Sequence, residues 1–175
     1  MNTFSVDAET NGLWGQIFAI GACVGDKIFY ERCPIDGNVN TFVQENIIPV
    51  LKNMPETCAN EDELLKKFAQ FYMENKEGAN VVTHVGFPVE TGLFHKLHEK
   101  NFIGDWDAPF PIYDISTMLL MVGENPTEQE EFKQKVGIEV DGNSHDPLYD
   151  ARVTARIFQY ILAVEIGKRM PRHTF

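Results

Sequence analysis

Two carboxylates stand two residues apart near the start of the chain, in the segment Asp7-Ala8-Glu9. The apolar residues Phe4-Ser5-Val6 before it suit a buried strand, and Thr10-Asn11-Gly12 after it suits a turn. Because side chains two apart on a strand share one face, Asp7 and Glu9 can direct both carboxylates to one point. Like charges so placed repel each other unless a proton or a cation neutralises them, and Mg²⁺ and Mn²⁺ prefer carboxylate oxygens. The pair therefore suggests a metal site, although such pairs are common in acidic chains.

A second group of polar residues, His145-Asp146-Pro147-Leu148-Tyr149-Asp150, opens the last helical pattern of the sequence. Pro147 suits a first helical turn, with Asp146 before it as the cap. Asp150 then lies in the first turns of that helix, and small Ala151 allows the helix to pack close to a sheet. His145 stands just outside the helix, where it can reach the same site, although a lone histidine is more often structural or solvated.

Together, the two motifs resemble those of the DnaQ-like DEDDh exonuclease family. The segment Val6-Asp7-Ala8-Glu9-Thr10-Asn11-Gly12-Leu13 is similar to the first motif, and Ile17-Phe18-Ala19-Ile20-Gly21-Ala22 is similar to the apolar strand that follows it. His145, five residues ahead of Asp150, is similar to the third motif. The first motif opens the chain and the third begins the last helix, so the resemblance spans nearly all of it. It implies a ribonuclease H-like fold in a single exonuclease domain over residues 1–175.

The second motif is where this sequence departs from the family pattern. The family shows His-Asn-x-x-Phe-Asp on a helix after the fourth strand, whereas the corresponding segment here, residues 83–94, contains no Asp. Glu90 is the best candidate for the fourth acid, because Leu93 and Phe94 follow it as apolar residues should and Glu adds one methylene of reach. The alternatives that stay open are no fourth acid or one of three aspartates: Asp105, Asp107 and Asp114.

The resemblance implies a metal-dependent 3′→5′ exonuclease. Such an enzyme hydrolyses phosphodiester bonds at the 3′ ends of single-stranded DNA or RNA and releases nucleoside 5′-monophosphates. Two Mg²⁺ or Mn²⁺ ions would be held by Asp7, Glu9 and Asp150. Glu90 would complete the set of acids through a water, and His145 would take the proton from the attacking water.

Substrate contacts are implied for the turn after the first strand: Thr10, Asn11, Gly12 and Leu13. Backbone groups of the turn would meet the 3′ hydroxyl, and Leu13 would wedge against the last bases. Trp14 or Phe87 would offer a stacking face, although core or rim positions explain these apolar residues equally well. Four cationic residues near the C-terminal end are compatible with phosphate contacts or, by default, with a solvated helix end: Lys168, Arg169, Arg172 and His173.

The elements that must position these residues follow from hydrophobic periodicity. Strands are predicted at residues 4–7, 16–24, 27–33, 80–83 and 110–113. Helical patterns cover residues 43–51, 61–75, 89–100, 128–135 and 148–169, and Asn60 with Glu63 is a start signal for the second of them. Three early strands joined by short turns indicate an antiparallel meander. We therefore expect an α/β fold with a mixed five-stranded sheet, the meander followed by parallel strands, flanked by helices.

Composition narrows the class of protein. The chain has 175 residues, 43% of them hydrophobic, which supplies a real core and excludes a disordered tail. Its 26 acidic and 15 basic residues give a net charge of −11, which argues against a basic module that binds phosphates directly but not against binding through divalent cations.

The acidic stretch from Glu124 to Glu131 is typical of a solvated helix face. Three cysteines without metal-site spacing indicate reduced structural thiols: Cys23, Cys33 and Cys58.

Location and partners follow less directly. The first residues hold no apolar signal core, and the longest apolar run is too short to cross a bilayer, so we expect a cytoplasmic protein with no membrane partner. Relatives in the resembled family often pair, which favours a homodimer.

Three alternatives to the general exonuclease stay open. One is a nuclease restricted to very short oligonucleotides or RNA, since nothing reports recognition of a 2′ hydroxyl. Another is a catalytically impaired relative that serves as a nucleic-acid or protein binding module, which the missing second-motif Asp favours. The presence of both acidic motifs argues against that module, because binding alone requires none of their spacing. The third is a proofreading subunit that works beside a polymerase.

Overall fold

A five-stranded mixed sheet forms the centre of the computed structural model, which describes residues 2–166. The strands lie in the order β3-β2-β1-β4-β5. Strands β1, β2 and β3 pair antiparallel as a meander, whereas β4 pairs parallel with β1 and β5 pairs parallel with β4. The strands are β1 (Asn2–Thr10), β2 (Ile17–Val24), β3 (Lys27–Arg32), β4 (Ala79–Thr83) and β5 (Ile112–Asp114). The predicted mixed sheet is confirmed.

Within the described residues, five α-helices accompany the sheet: α1 (Glu61–Asn75), α2 (Val89–Glu99), α3 (Ile115–Met121), α4 (Gln129–Val136) and α5 (Pro147–Tyr160). The predicted helix over residues 43–51 is instead a π-helical turn at Val43–Ile47 and a 3₁₀ turn at Leu51–Asn53. Helix α5 continues into a π-helical segment at Ile161–Ile166, and the predicted helical residues 167–169 and the cationic end lie outside the described residues. None of the helices within residues 2–166 has the length and apolar content that crossing a membrane requires.

The two faces of β1 pack against different helices. Phe4, Val6 and Ala8 belong to the core that contains the apolar faces of α1 and α2. The alternate residues lie on the other face, where α5 packs and the side chain of Gln159 donates to the hydroxyl of Thr3 at 3.3 Å. Because side chains alternate along a strand, Asp7 lies on the face that α5 covers.

The start of helix α5 is fixed by its cap and by a close approach to the sheet. The carboxylate of Asp146 accepts the backbone N–H groups of Leu148 and Tyr149 at 3.0 and 3.2 Å, and Pro147 occupies the first turn, as predicted. A Cβ on Gly21 of β2 would lie 2.2 Å from the backbone nitrogen of Leu148. Only glycine therefore permits this contact, which sets the distance between the first turn of α5 and the sheet.

Candidate metal centre

Three carboxylates converge where β1 ends and α5 begins. Asp7, Glu9 and Asp150 each offer an oxygen, and these oxygens lie within 4.8 Å of one another. Asp7 and Glu9 stand two apart on β1, just before its pairing with β2 shifts register between Glu9 and Thr10. No other cluster of three or more His, Cys, Asp or Glu with metal-binding geometry occurs among residues 2–166. Oxygens this close can ligate shared Mg²⁺ or Mn²⁺ ions.

The surroundings of these carboxylates disfavour their negative charge. Burial, together with repulsion from Glu90 and Glu9, raises the pKa of Asp7 well above its usual range. Burial and repulsion from Asp150 raise the pKa of Glu9 to about 8. Burial also raises the pKa of Asp150 to about 7. Within the described part of the chain, none of the three forms an ion pair with Lys or Arg, so a bound divalent cation would supply the missing positive charge.

We expect the metal-free protein to lose stability as the pH rises from about 5 to about 8. The folded-state pKa values of Glu9 and Asp150 are raised to about 8 and about 7, so the folded state binds protons more tightly than the unfolded chain. The stabilisation is complete below the unfolded pKa of about 4 and is lost as the pH rises through the folded values. Scanning calorimetry in EDTA should show a falling Tm, and Mn²⁺ should raise Tm most at the alkaline end.

The Glu9→Gln variant is the control for this pH dependence. It removes one of the titrating groups, so its Tm in EDTA should decline less over the same interval. A metal-free parent whose Tm stays constant or rises with pH would contradict the expectation.

Glu90, the predicted fourth acid, lies beside the three carboxylates but outside their 4.8 Å group. It is only 4% exposed, and its Oε1 accepts the backbone N–H of Ala8 at 3.0 Å. Because Ala8 stands between Asp7 and Glu9, this bond anchors α2 to the end of β1. Burial raises the pKa of Glu90 to about 8. Its charge acts on the centre, since it contributes to the raised pKa values of Asp7 and Glu9.

The three alternative aspartates are engaged elsewhere. Asp114 caps helix α3 and accepts the backbone N–H groups of Val85 and Gly86 at 3.0 and 2.8 Å. Burial opposes its charge, but these bonds and those from Ser116 hold the pKa of Asp114 below its usual value. Asp105 contacts the ring of His98 at 2.8 Å, and Asp107 forms an ion pair with Lys76 at 2.6 Å. Glu90 therefore stays the predicted fourth acid.

Asp150 accepts a hydrogen bond on each of its oxygens. The backbone N–H of His145 donates to Oδ2 at 2.8 Å, and Nε2 of Gln129 donates to Oδ1 at 3.1 Å. Gln129 was not predicted from the sequence, because it lies in the acidic stretch that is typical of a solvated helix face, whereas its side chain is buried. The only available signal was a neutral amide at the start of an acidic helix, and that signal is weak.

His145 stands exposed at the entrance to α5. Its φ of 68° is left-handed, a conformation that histidine adopts more readily than most residues. Its ring meets the ring of Phe42 edge-on, with the centroids 6.2 Å apart. Phe42 was not predicted to be a site residue, because an aromatic residue directly before an apolar helical pattern is typical of the hydrophobic core.

The residues predicted to contact substrate divide into a turn and an exposed surface. Asn11 in the turn accepts the backbone N–H of Asn40 at 2.8 Å and donates to the carbonyl of Asn38 at 3.0 Å, so its side chain is used within the protein. Gly12 follows with a φ of 80°, and Thr10 ends β1. The exposed side chains among them make up what we call the apolar rim: Leu13, Trp14 and Phe87.

Trp14 and Phe87 are in contact across the apolar rim. Their ring centroids lie 5.6 Å apart in an edge-to-face arrangement, and the two side chains are 75% and 70% exposed. Leu13, for which the sequence was compatible with either a core or a rim position, is exposed as well. Exposed aromatic rings in contact offer stacking surfaces to a planar ligand.

Two of the solved structures that share this fold are metal-bound or nucleotide-bound. S. pombe Pop2p, in a form with Mg²⁺ and Mn²⁺ bound, superposes with a TM-score of 0.69 over 94% of this chain and 84% of that chain, at 16% sequence identity. The nuclease domain of 3′hExo, a DEDDh family member, bound to rAMP, superposes with a TM-score of 0.66 over 93% of this chain and 90% of that chain, at 14% identity. No protein-family model matches the sequence, and no curated protein is significantly similar to it. The structural likeness confirms the predicted ribonuclease H-like fold.

Proposed function

We propose that this chain is a DEDDh-type 3′→5′ exonuclease that uses two Mg²⁺ or Mn²⁺ ions. Its substrate is the 3′ end of single-stranded DNA or RNA, and its products are nucleoside 5′-monophosphates. The observation that carries the proposal is the convergence of Asp7, Glu9 and Asp150 within 4.8 Å, beside the entrance to the helix where His145 stands. The ribonuclease H-like fold shared with the nuclease domain of 3′hExo supports it.

The three carboxylates fit divalent cations. They form an all-oxygen donor set that pairs with no Lys or Arg among residues 2–166, and burial raises their pKa values, as expected of groups that a bound cation would stabilise. Asp7, Glu9 and Asp150 would hold the ions, with Glu90 contributing through a water. Two bound ions would polarise the scissile phosphate and offset the negative charge that develops on it.

His145 is the proposed general base. It would accept the proton of the attacking water, a role that histidine fills more often than any other side chain. The hydrogen bond from its backbone N–H to Asp150 keeps it at the edge of the carboxylate cluster. Its exposure leaves the ring free to pass the proton on to solvent.

The apolar rim is the proposed contact for the terminal bases. Every base has a face that can stack on an aromatic ring, so this contact requires a single-stranded end but little sequence specificity. Leu13 would lie against the last base, and the backbone of the turn at Asn11 and Gly12 would meet the 3′ hydroxyl. A rim of this kind also suits a protein of net charge −11, because stacking needs no cationic side chains.

Trp14→Ala is expected to raise KM for a single-stranded oligonucleotide by about tenfold, with a smaller change in kcat, because stacking contributes about 1–3 kcal/mol per base. Phe87→Ala should act in the same direction. Steady-state kinetics on the parent and both variants measure the change. Trp106→Ala is the matched control, since Trp106 is 94% exposed and lies outside the rim. Parent-like kinetics for both rim variants would contradict stacking on this surface.

A degradation time course tests the function itself. DNA and RNA oligonucleotides labelled at the 5′ end are incubated with the protein in Mg²⁺, Mn²⁺ or EDTA. A ladder that shortens from the 3′ end, and that EDTA abolishes, supports the proposal. Substrate that stays intact under every metal condition would instead favour a binding module, and cleavage of RNA alone would narrow the substrate.

A further inference from the structure

We infer that Gln129 is a positioning residue that holds the carboxylate of Asp150 in the orientation that the metal centre requires. The inference rests on the proposed function, because it concerns the same three carboxylates. Gln129 belongs to neither acidic motif and opens a different helix, α4.

Three buried side chains form a directed chain of hydrogen bonds. The hydroxyl of Thr154 donates to Oε1 of Gln129 at 2.9 Å, and Nε2 of Gln129 donates to Oδ1 of Asp150 at 3.1 Å. Thr154 follows Asp150 by one helical turn on α5, whereas Gln129 reaches across from α4. All three residues are at least nine-tenths buried, so water offers little alternative to these bonds.

The chemistry of the amide sets the direction of this chain. An amide presents a donor on one side and an acceptor on the other. If the amide of Gln129 were reversed, its oxygen would lie against the carboxylate of Asp150 in a buried setting. The observed orientation avoids that repulsion and uses the hydroxyl of Thr154 to occupy the amide oxygen.

The carboxylate of Asp150 is therefore held by a hydrogen bond at each of its two oxygens. Oδ1 accepts from Gln129 and Oδ2 accepts from the backbone of His145, so rotation about the Cβ–Cγ bond would break both bonds. Hydrogen bonds of this kind orient metal ligands, and their loss typically weakens metal affinity by about 10–100-fold.

Helix α4 does not depend on Gln129 for its place. Tyr149 of α5 donates from its hydroxyl to Oε1 of Glu130 at 2.8 Å, and Lys133 bonds the same hydroxyl. Phe132 of α4 is buried in the core that contains Tyr149. A substitution of the Gln129 amide should therefore remove its hydrogen bonds and leave the helix docked.

Titration of the full-length protein with MnCl₂ by calorimetry tests the inference. Gln129→Met keeps the length of the side chain and removes the donor, and it should raise the Kd for Mn²⁺ by about 10–100-fold. Gln134→Met is the matched control, because Gln134 is an exposed residue of the same helix, and its Kd should equal that of the parent. A folded Gln129→Met protein with the parent Kd would overturn the inference. A parent that binds no Mn²⁺ would overturn the proposed metal centre as well, so the two failures are distinguishable.

Substitutions of Thr154 provide a second test that leaves Gln129 in place. Thr154→Val removes the hydroxyl at nearly constant shape and should weaken Mn²⁺ binding, whereas Thr154→Ser keeps the hydroxyl and should restore it. Since the hydroxyl acts through the amide, adding Thr154→Val to Gln129→Met should cause no further loss. Independent, additive losses would overturn the inference. In turnover assays, the single variants Gln129→Met and Thr154→Val should each lower kcat and leave KM close to that of the parent.

Discussion

Asp7→Asn is expected to lower the kcat for a 5′-labelled single-stranded oligonucleotide by on the order of 10³-fold or more, since metal ions contribute several kcal/mol of transition-state stabilisation. Asparagine keeps the shape of the side chain but carries no charge to hold a cation. Asp7 supplies one of the three carboxylates whose oxygens lie within 4.8 Å of one another, so the variant leaves only two of them. Initial rates in saturating Mn²⁺ measure the loss, with Asp36→Asn as the control at an exposed aspartate outside the cluster.

The stability of the same variant should change in the opposite direction. Burial and neighbouring acids raise the pKa of Asp7, so the cost of ionising this carboxylate destabilises the folded, metal-free protein as the pH rises. Neutral asparagine removes that penalty, and Asp7→Asn should therefore melt above the parent in EDTA. Lost activity in a more stable protein would exclude misfolding as the cause. Parent-like turnover of Asp7→Asn would refute the proposed metal centre.

His145→Ala should lower kcat by about 10²–10⁴-fold, the usual contribution of a general base, while Mn²⁺ binds as it does to the parent. Mn²⁺ binding should be unaffected because His145 donates to Asp150 through its backbone N–H, which alanine keeps. Single-turnover rates with saturating substrate, together with calorimetric Mn²⁺ titration, measure the two effects separately. His95→Ala, at an exposed histidine of α2, is the control.

The left-handed backbone at His145 calls for a second variant. Alanine is strained at a φ of 68°, whereas asparagine adopts this conformation readily. His145→Asn therefore preserves the entrance to α5 and still lacks a base. Equal losses in the two variants would assign the effect to the missing imidazole. If His145→Asn turned over at the parent rate, another group would have to accept the proton.

The sequence predicted the elements whose signals are local. Helix α1 begins and ends at the predicted residues, because Asn60 accepts the backbone N–H of Glu63 at 3.0 Å and the apolar spacing runs unbroken to its end. Helix α3 was missed, since its seven residues follow β5 without a turn and their apolar run lacks clear periodicity. Asp114 serves as both the last residue of that strand and the cap of that helix, so no loop residues mark the boundary.

Only those residues of the candidate site that belong to a sequence motif were predicted. Asp7, Glu9 and Asp150 have characteristic spacing and neighbours, whereas Gln129 has a role only through a contact with a residue 21 positions away. Phe42 likewise lies near His145 because the chain folds back between distant segments. Polar and aromatic residues with such contacts leave no periodic signal in the sequence, and only the packing of distant segments reveals them.

The proposed ligands lie far apart along the chain, and this separation bears on the order of folding. A chain folded only as far as α4 has Asp7 and Glu9 on β1, but Asp150 of α5 is not yet beside them. Until α5 docks beside Gly21, two acids cannot form the three-carboxylate cluster. The capacity to hold a cation would thus depend on the docking of α5, and a chain in which α5 is undocked would lack the complete donor set.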